Sequence, residues 1–466
     1  MFNLNLNLIN ILGNEQVTLI DMLDARENRV IEQQKILTEY KMCLISFTLN
    51  IPGSVKSFPL TQKSFAEGKW LILSQLKRHN INVTYEKYNC SKTGYEAFFA
   101  VDNDPYYIKK LMLSIEDSSK LGRVFDIDVL KQNGEKISRN DINSDPRSCL
   151  LCSESAHVCA RSKKHQAEEL ILKTIDIMSV YFNEKFANMC SSCACRSMMY
   201  EVCITPKPGL VDRDNNGSHK DMDIYTFIDS SAVLAPYFRD LVMTGIKFFS
   251  DEPQHLFQRI RYPGMIAEDQ MFLVTNNINT HKGLIFSLGI ICAALGYLYA
   301  NNKEIDLDSI LELSKLMTVK VSDDFSGINK ENANTYGEKL YALHGITGIR
   351  GEAAQGFVSV KKYGLPVFKN LLQKGFSIND AGALTLLNLI ANVKDTNIIS
   401  RSDINTQNLV QQEIKKLIKF RKLENISMDD IKEIDNKFIS LNLSPGGCAD
   451  LLAITYMLYF LDNNKK

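Results

Sequence analysis

The hydrophobic and polar positions follow different patterns in the two halves of this chain. In the first half, short apolar stretches rich in β-branched and aromatic residues alternate with stretches of helical composition. From about residue 163 onward, apolar residues recur at helical spacing, and polar loops with glycine separate the apolar stretches. The sequence therefore predicts a mixed α+β domain followed by a helical domain.

The first half contains four strand candidates and two helix candidates. Asp104 and Pro105 indicate where the second helix begins, because aspartate caps helices and proline is favoured at their first position. The order strand, helix, strand, strand, helix, strand predicts the ferredoxin-like fold. The predicted strands span residues 42–50, 81–88, 95–101 and 123–130, and the predicted helices span residues 61–78 and begin at residue 105.

The second half is predicted to be all-α. Ile171, Ile175, Met178 and Phe182 form one apolar stripe at helical spacing. Residues 283–300 carry no charge over 18 positions, which is near the short limit for a membrane span. We interpret this stretch as a buried helix, because it contains three glycines and no second segment matches it. Further helices are predicted at residues 226–249, 310–317, 381–393 and 451–461.

Length and composition set further bounds. A chain of 466 residues is too long for one core, so we expect two domains, residues 1–180 and residues 181–466. The formal net charge is zero, which gives no reason to expect a nucleic-acid or membrane partner held by bulk charge. Eleven cysteines occur without the features of a signal peptide, so we expect a reducing, cytoplasmic location.

Residues 205–223 form the most unusual polar segment of the chain. Two prolines and two glycines define its backbone, and it has neither helical nor strand periodicity. Such a loop is typical of a binding site for a charged ligand, with an ordinary solvated loop as the alternative. The candidate phosphate-binding residues are Lys207, Arg213 and His219, and the candidate carboxylates for a metal or a proton are Asp212, Asp214, Asp221 and Asp223.

Four further polar clusters interrupt the predicted helices of the second half. One precedes the most apolar helix, where a helix N-terminus beside a lysine would attract phosphate. Each cluster alone also fits a helix cap, but together they predict loops that converge on a polyphosphate and its metal ion. The clusters contain Asn279, His281, Lys282, Arg350, Glu352 and the segments 395–401 and 445–450, with Glu268 and Asp269 as additional candidate acids.

Two carboxylates lie on one face of the last predicted strand. Asp126 and Asp128 alternate with apolar residues, so they share the face opposite the core. Because a ferredoxin-like sheet has helices on one face only, we expect both carboxylates on an open face. Such a pair can bind Mg²⁺ that bridges substrate phosphates, and a solvated edge strand is the alternative. The candidate cations for a pyrophosphate leaving group are Arg123, Arg139 and Arg147.

A group of three cysteines and one histidine has the ligand number and type of a structural zinc site. Its spacing is shorter than that of common zinc ribbons, and reduced, half-buried thiols are the alternative. The group consists of Cys149, Cys152, Cys159 and His165. A second group has no histidine close behind it and is a weaker candidate. It consists of Cys190, Cys193 and Cys195.

These motifs resemble those of two enzyme families. Residues from about 17 to 165 resemble the transferase that attaches the prosthetic group to citrate lyase. The matching motifs are LISFTLNIPG at 44–53, RVFDIDVL at 123–130, PRSCLLC at 146–152 and CARSKKH at 159–165. Residues from about 200 onward resemble triphosphoribosyl-dephospho-coenzyme A synthase. The matching motifs are TPKPGLVD at 205–212, NTHKG at 279–283, YG at 336–337, RGE at 350–352, DTN at 395–397 and GGCAD at 446–450. At Asn277 the resemblance leads us to expect glycine, whose backbone angles asparagine tolerates.

The resemblance implies a bifunctional enzyme. The helical domain would join ATP to 3′-dephospho-coenzyme A and release adenine. The α+β domain would transfer the phosphoribosyl-dephospho-coenzyme A group to a serine of the citrate lyase acyl carrier (gamma) subunit and release diphosphate. Lys207, Lys282 and Arg350 are then expected to hold the triphosphate of ATP. The expected acids and bases of the glycosyl transfer are His219, Asp221 and Asp223, followed by Glu268 and Glu352, with phosphate binding as the alternative role of His219.

Two functions from other classes remain open at this point. One is a non-catalytic, zinc-bearing adaptor that binds an acyl carrier. The other is a helical hydrolase that acts on substrates similar to ADP-ribose. Release of adenine in the presence of dephospho-coenzyme A would distinguish the synthase from both.

Overall fold

A computed structural model describes residues 12–13, 15–321, 333 and 336–463, and of residues 336–338 it describes only the backbone. The first ten residues, which we read for a targeting signal, and the side chains of the YG motif at 336–337 lie outside this description. The chain divides into two compact units, Met1–Asn183 (unit 1) and Glu184–Lys466 (unit 2). The described residues combine one small antiparallel sheet with many helices, so the protein is α+β.

Unit 1 is built around a four-stranded antiparallel sheet in the order β2-β3-β1-β4. Strand β1 lies inside the sheet, and six of its seven residues are buried, which explains its almost uninterrupted apolar sequence. Asp104 caps α3 by accepting a hydrogen bond from the Tyr107 amide, as its position before Pro105 predicts. The elements are α1 (Leu19–Tyr40), β1 (Cys43–Leu49), α2 (Pro59–Arg78), β2 (Val83–Ser91), β3 (Gly94–Val101), α3 (Pro105–Asp117), β4 (Phe125–Leu130), α4 (Ala156–Ser162) and the start of α5 (Ala167–Cys203), with 3-10 turns at Leu121–Val124 and Asn140–Ile142.

Both faces of this sheet carry helices, which differs from our expectation of one open face. Helices α2 and α3 cover one face, where Ile45, Phe47 and Ile127 enter the main core. Helix α1, which the sequence analysis did not predict, packs on the other face through Ile36 and Leu37. The carboxylates of β4 therefore share a face that is partly covered. The weak amphipathic pattern of α1 explains why it was missed.

Every secondary-structure element that is described in unit 2 is helical. The helices are the end of α5, α6 (Ile224–Val233), α7 (Ala235–Lys247), α8 (Pro253–Val274), α9 (Lys282–Ala300), α10 (Leu307–Thr318), α11 (Tyr336–His344), α12 (Gly348–Ala354), α13 (Leu365–Gln373), α14 (Ile378–Asn392), α15 (Thr396–Arg401), α16 (Ile404–Arg421), α17 (Met428–Ser440) and α18 (Gly446–Asn463), with a π turn at Val360–Gly364 and a 3-10 turn at Leu423–Asn425. The single helix predicted at 226–249 is two helices, because the chain starts a new helix at Ala235 with Pro236 in its first turn.

Helix α9 lies in the core of unit 2. It is long and apolar enough to cross a membrane by composition, but 72% of its most apolar window is buried inside the protein. It packs most extensively against α7, and glycine permits this close approach. A Cβ atom at Gly245 would lie 2.1 Å from the Ala293 carbonyl oxygen, and one at Gly296 would lie 2.0 Å from the Val242 carbonyl oxygen. The packing fixes where α9 begins, and that end forms part of the site described next.

Candidate active site

A polar cavity of about 460 Å³ lies in unit 2, where the loop 205–223 meets the N-terminal ends of α9 and α18. It brings together residues that are up to 249 positions apart, from Glu201 to Asp450. Eight of the residues predicted from sequence contribute to its wall. They are Lys207, His219, Asp221, Glu268, Asn279, His281, Lys282 and Arg350. Arg401 and Asp450, the last residues of the predicted segments 395–401 and 445–450, also line the wall. Glu201 is a further charged residue of the wall, and the sequence analysis did not predict it.

Two buried carboxylates hold the loop 205–223 in its shape. Asp212 accepts hydrogen bonds from the backbone amides of Lys207, Asp214 and Asn215 at 3.1, 2.7 and 3.0 Å. Asp435 of α17 accepts hydrogen bonds from the Gly209 amide at 2.8 Å and from the Asn215 side chain at 3.0 Å. Asp212 therefore shapes the loop rather than facing a ligand, and Gly209 has the positive φ of 67° that this shape requires.

Lys207 forms a buried ion pair with Glu201. Its ammonium nitrogen lies 2.7 Å from a carboxylate oxygen of Glu201 and 3.0 Å from the Glu201 carbonyl oxygen. The two side chains are 2% and 4% exposed. The charge that we expected Lys207 to offer to a triphosphate is thus already balanced within the protein.

His219 lies between a hydroxyl group and a guanidinium group. Its Nε2 is 2.9 Å from the Ser444 hydroxyl, and its Nδ1 is 3.2 Å from a guanidinium nitrogen of Arg401. Burial and then the charge of Arg401 lower the pKa of His219 to about 4. The ring is therefore neutral near pH 7, which makes it a poor proton donor and favours the alternative role in ligand binding.

His281 presents an unpaired nitrogen atom at the cavity wall. Its Nδ1 is 2.7 Å from the Ser230 hydroxyl, which accepts a hydrogen bond from Thr280 at 2.9 Å. Because the Ser230 proton is then available to Nδ1, the ring proton resides on Nε2. That nitrogen is buried and has no hydrogen-bond partner among the described residues. Burial, followed by the charge of Lys207, lowers the pKa of His281 to about 3, so the ring acts as a neutral donor.

The first turn of α9 forms a positively charged part of the wall. Lys282 begins this helix, and its ammonium group lies 2.8 Å from a carboxylate oxygen of Glu268. The backbone amide of Lys282 donates a hydrogen bond of 3.3 Å to the Asn279 side chain. The remaining free amides of this turn and the helix dipole attract anions. Arg350 reaches the same cavity from α12.

Asp450 packs against the same helix end. A Cβ atom at Gly283 would lie 2.0 Å from a carboxylate oxygen of Asp450, so a side chain at this position would displace that carboxyl group. The Asp450 carboxyl group makes no hydrogen bond or ion pair with any residue that the structure describes. Burial, then the charges of Glu201 and Asp395, raise the pKa of Asp450 well above its ordinary value. The raised pKa favours the protonated form of this carboxyl group.

Besides Asp212, five of the individually named candidates do not line this cavity, and two of them, Asp214 and Asp269, are exposed. Asp223 caps α6 and accepts hydrogen bonds from the Thr226 amide and hydroxyl at 2.9 and 2.8 Å. Arg213 donates a hydrogen bond of 3.0 Å to the Asn379 side chain. Glu352 accepts a hydrogen bond of 2.5 Å from the Ser359 hydroxyl.

Glu352 instead lines a neighbouring cavity of about 310 Å³. The two cavities share Ile349, Thr396 and Gly447 in their walls, so they adjoin. Asn277, where we expected glycine, has a φ of 64°, which asparagine tolerates.

Unit 1 contains the predicted carboxylate pair. Asp126 and Asp128 lie on one face of β4, opposite Thr48 and Ser46 of β1. One oxygen of Asp128 is 2.6 Å from the ammonium nitrogen of Lys136, which sequence reasoning did not single out. Desolvation and the charge of Asp128 raise the pKa of Asp126.

Two of the three predicted arginines of unit 1 pair with one buried acid. Glu116 is 3% exposed and pairs with Arg139 at 2.7 Å and with Arg147 at its other oxygen. The Ile127 amide also donates a hydrogen bond of 3.1 Å to Glu116. Arg123 donates a hydrogen bond to the Ser148 carbonyl oxygen. Glu116 therefore positions two of the three arginines, which no spacing in the sequence revealed.

The predicted zinc ligands lie together. One ligand atom from each of Cys149, Cys152, Cys159 and His165 lies within 4.8 Å of all the others. The second cysteine group does not form such a cluster among the described residues. Its members are buried in the hydrophobic core of unit 2, which raises the pKa of Cys190 and Cys195 and fits a packing role.

Comparison with known proteins assigns a family to each part of the chain. Residues 187–466 match the family model CitG, ATP:dephospho-CoA triphosphoribosyl transferase. Residues 17–181 match the family model CitX, apo-citrate lyase phosphoribosyl-dephospho-CoA transferase.

Individual relatives cover either the whole chain or its second part. The chain is 34% identical to Protein CitXG of Haemophilus influenzae, with 96% of each chain covered. It is 33% identical to Protein CitXG of Leuconostoc mesenteroides, with 96% of this chain and 97% of that protein covered. It is also 38% identical to 2-(5''-triphosphoribosyl)-3'-dephosphocoenzyme-A synthase of Haemophilus ducreyi, with 67% of this chain and 98% of that protein covered. The chain therefore belongs to the family of CitXG proteins, with its CitX part at residues 17–181 and its CitG part at residues 187–466.

Proposed function

We propose that this protein makes the prosthetic group of citrate lyase and attaches it to the acyl carrier subunit. Unit 2 joins ATP to 3′-dephospho-coenzyme A. The 2′-hydroxyl of dephospho-coenzyme A forms a bond to C1 of the ATP ribose, the bond from that carbon to adenine breaks, and the hydroxyl proton is lost as adenine gains one. Unit 1 then transfers the phosphoribosyl-dephospho-coenzyme A group to a serine hydroxyl of the carrier and releases diphosphate.

The observation that carries this proposal is the composition of the unit 2 cavity. Helix ends, Lys282, Arg350 and Arg401 supply positive potential for a polyphosphate. Carboxyl groups stand in the same wall, where a glycosyl transfer needs an acid and a base. Family membership supports an enzyme over the non-catalytic adaptor, because both family models describe transferases.

Within this reaction, we assign the general acid to Asp450 and the general base to Glu268. Adenine is a poor leaving group unless it is protonated, and the raised pKa of Asp450 favours the protonated carboxyl group that can donate a proton. Glu268 is a carboxylate paired with Lys282, so it can accept the proton of the attacking hydroxyl. His281 offers its Nε2 proton to a substrate acceptor, and His219 with Arg401 binds phosphate. Asp221 stands at the rim, 62% exposed.

In unit 1, Asp126 and Asp128 are the residues that would hold Mg²⁺. Their oxygen ligands fit this ion, although binding would require Lys136 to release one oxygen of Asp128. When bound, Mg²⁺ would balance the charge of the diphosphate leaving group. Arg123, together with the pair of arginines on Glu116, would bind phosphates of the same substrate.

Two finer assignments of fold and location belong to the same proposal. We assign the ferredoxin-like fold to unit 1. The strand order β2-β3-β1-β4 supports this assignment, as do the helices that connect β1 to β2 and β3 to β4. We assign an all-α fold to unit 2 throughout. A cytoplasmic location follows from the intracellular substrates ATP and dephospho-coenzyme A.

One incubation tests the proposed function. The purified full chain is mixed with ATP and 3′-dephospho-coenzyme A, and then with the apo carrier subunit. We expect adenine that appears only with both nucleotides, and a carrier whose mass increases by the phosphoribosyl-dephospho-coenzyme A group. Ribose phosphates formed without an acceptor would indicate a hydrolase instead. Carrier binding without adenine release would indicate an adaptor.

A further inference from the structure

We propose that Cys149, Cys152, Cys159 and His165 bind one zinc ion, and that this ion holds Arg147 and Ser148 in place beside the carboxylates of unit 1. The first part concerns a metal site that neither family description mentions. The second part rests on the proposed function of unit 1, because it assigns the ion an indirect effect on carrier modification.

The distances fit a tetrahedral site. Zinc binds thiolate sulfur at about 2.3 Å and imidazole nitrogen at about 2.0–2.1 Å, which places neighbouring ligand atoms roughly 3.5–3.8 Å apart. The Cys152 and Cys159 sulfur atoms are 3.4 Å apart, and Nε2 of His165 is 3.4 Å from the Cys152 sulfur. Both distances are close to this spacing. A disulfide would join only two of the three cysteines, and it would give the histidine no role. None of the three cysteines forms a disulfide.

The segment that carries these ligands has only a small buried core of its own. Helix α4 has only seven residues, and Cys159 is its one buried residue. Isolated helices of fewer than about 12 residues are marginal in water. Two backbone hydrogen bonds close the loop before it, from the Cys149 amide to the Glu154 carbonyl at 2.7 Å and from the Ala156 amide to the Arg147 carbonyl at 2.8 Å. A metal ion supplies the cross-link that so small a core does not.

The four proposed zinc ligands begin directly after Arg147 and Ser148, two residues whose contacts fix the arginines of unit 1. Arg147, two residues before Cys149, pairs with the buried Glu116. The Ser148 carbonyl oxygen accepts the hydrogen bond of Arg123. Release of the ion would free the loop that holds both contacts. Arg147 and Arg123 would then lose the contacts that fix their positions, and carrier modification would slow.

Metal analysis of the full chain tests the site itself. We expect one zinc per chain by mass spectrometry of the metal content, and loss of that zinc in Cys152→Ser and His165→Ala. The matched controls Cys90→Ser and His157→Ala change exposed residues outside the cluster and should keep the ion. Replacement of zinc by Co²⁺ in the unaltered protein should give a sulfur-to-cobalt absorption band, which does not depend on whether a variant folds. A protein that holds neither zinc nor cobalt would overturn the metal site.

Activity tests the second part separately. In the zinc-free variants, we expect carrier modification to fall at least tenfold while adenine release by unit 2 stays unchanged. Carrier modification at the full rate without zinc would overturn the link to Arg147, whatever the metal content of the normal protein. If the normal protein modified no carrier at all, the proposed function of unit 1 would fail, and the zinc and cobalt measurements would still decide the metal site.

Discussion

Lys207 and Glu201 form an ion pair with 2.7 Å between the ammonium nitrogen and a carboxylate oxygen, and both side chains are almost completely buried. Removing one member of such a pair leaves the other charge without a partner in a poorly solvated place. The pair therefore stabilises the wall of the cavity. We expect a substitution of Lys207 to change the stability of unit 2 rather than its affinity for ATP.

We predict that Lys207→Met lowers the free energy of unfolding of unit 2 by about 3–5 kcal/mol. The double variant Glu201→Gln, Lys207→Met should recover part of this loss, because no unpaired charge remains. Far-UV circular dichroism in urea measures the change. Trp70, the only tryptophan of the chain, lies in unit 1, so its fluorescence provides an internal control. Unchanged unfolding with a higher KM for ATP would instead favour the triphosphate-binding role.

Asp450→Asn should lower the rate of adenine release by about 10²–10⁴-fold, because the cavity then lacks its proton donor. The KM for ATP should change little. In the unaltered enzyme the rate should fall as pH rises through the pKa of Asp450, since only the protonated carboxyl group can donate. That part of the pH profile should be absent in the variant. Asp429→Asn, at an exposed position of α17, is the matched control, and equal rates in both variants would contradict the assignment.

Lys282→Ala and Arg350→Ala should each lower kcat/KM for ATP by roughly 10–100-fold, the effect of losing a charged phosphate contact of about 1.5–3 kcal/mol. Lys303→Ala, at an exposed position after α9, serves as the control. Steady-state rates of adenine release at varied ATP concentration measure the effect. Two variants with normal ATP kinetics would place the triphosphate elsewhere, with the adjoining cavity around Glu352 as the next site to test.

The stability of unit 2 should decrease as pH falls from about 6.5. The pKa values of His219 and His281 are lowered to about 4 and about 3, so the folded protein keeps both rings neutral where the unfolded chain protonates them. Stability is then fully present above pH 6.5 and is lost toward pH 4 and below. We expect each ring to contribute about 1–2 kcal/mol to the difference between pH 7 and pH 5. His281→Asn should reduce this difference in urea unfolding, and an unaltered pH dependence would show that the ring is not buried neutral.

Asp128→Asn should lower carrier modification roughly tenfold or more and raise the Mg²⁺ concentration needed for half-maximal rate, because one charged ligand is lost. Adenine release should continue at the normal rate. Asp24→Asn, at an exposed position of α1, is the control. Transfer at the full rate in Asp128→Asn would refute the metal assignment in unit 1.

Much of the fold was predictable because its signals are local. The apolar run of β1, the cap at Asp104 and the uncharged stretch of α9 each depend on neighbours within a few residues. Helix α1 and the break at Ala235 were missed, since a weak apolar stripe and a proline in an otherwise helical stretch leave the outcome to tertiary packing. The same holds for β4. The alternation of aspartate and apolar residues was evident from the sequence, but the packing of α1 on the face that carries the aspartates was not.

The sequence by itself determined the residue types of the chemistry: cations and acids in glycine-bearing loops, alternating aspartates on a strand, and three cysteines with a histidine. Side-chain alternation and turn chemistry are local, so these features follow from spacing alone. Only the tertiary structure decided which of these groups line the cavity and which form ion pairs or helix caps within the protein. It paired Lys207 with Glu201, assigned Asp223 to a helix cap, and set Asp450 against Gly283. Such pairings join residues far apart in the chain, and the pKa of each group depends on burial and on charges that only the folded structure brings near.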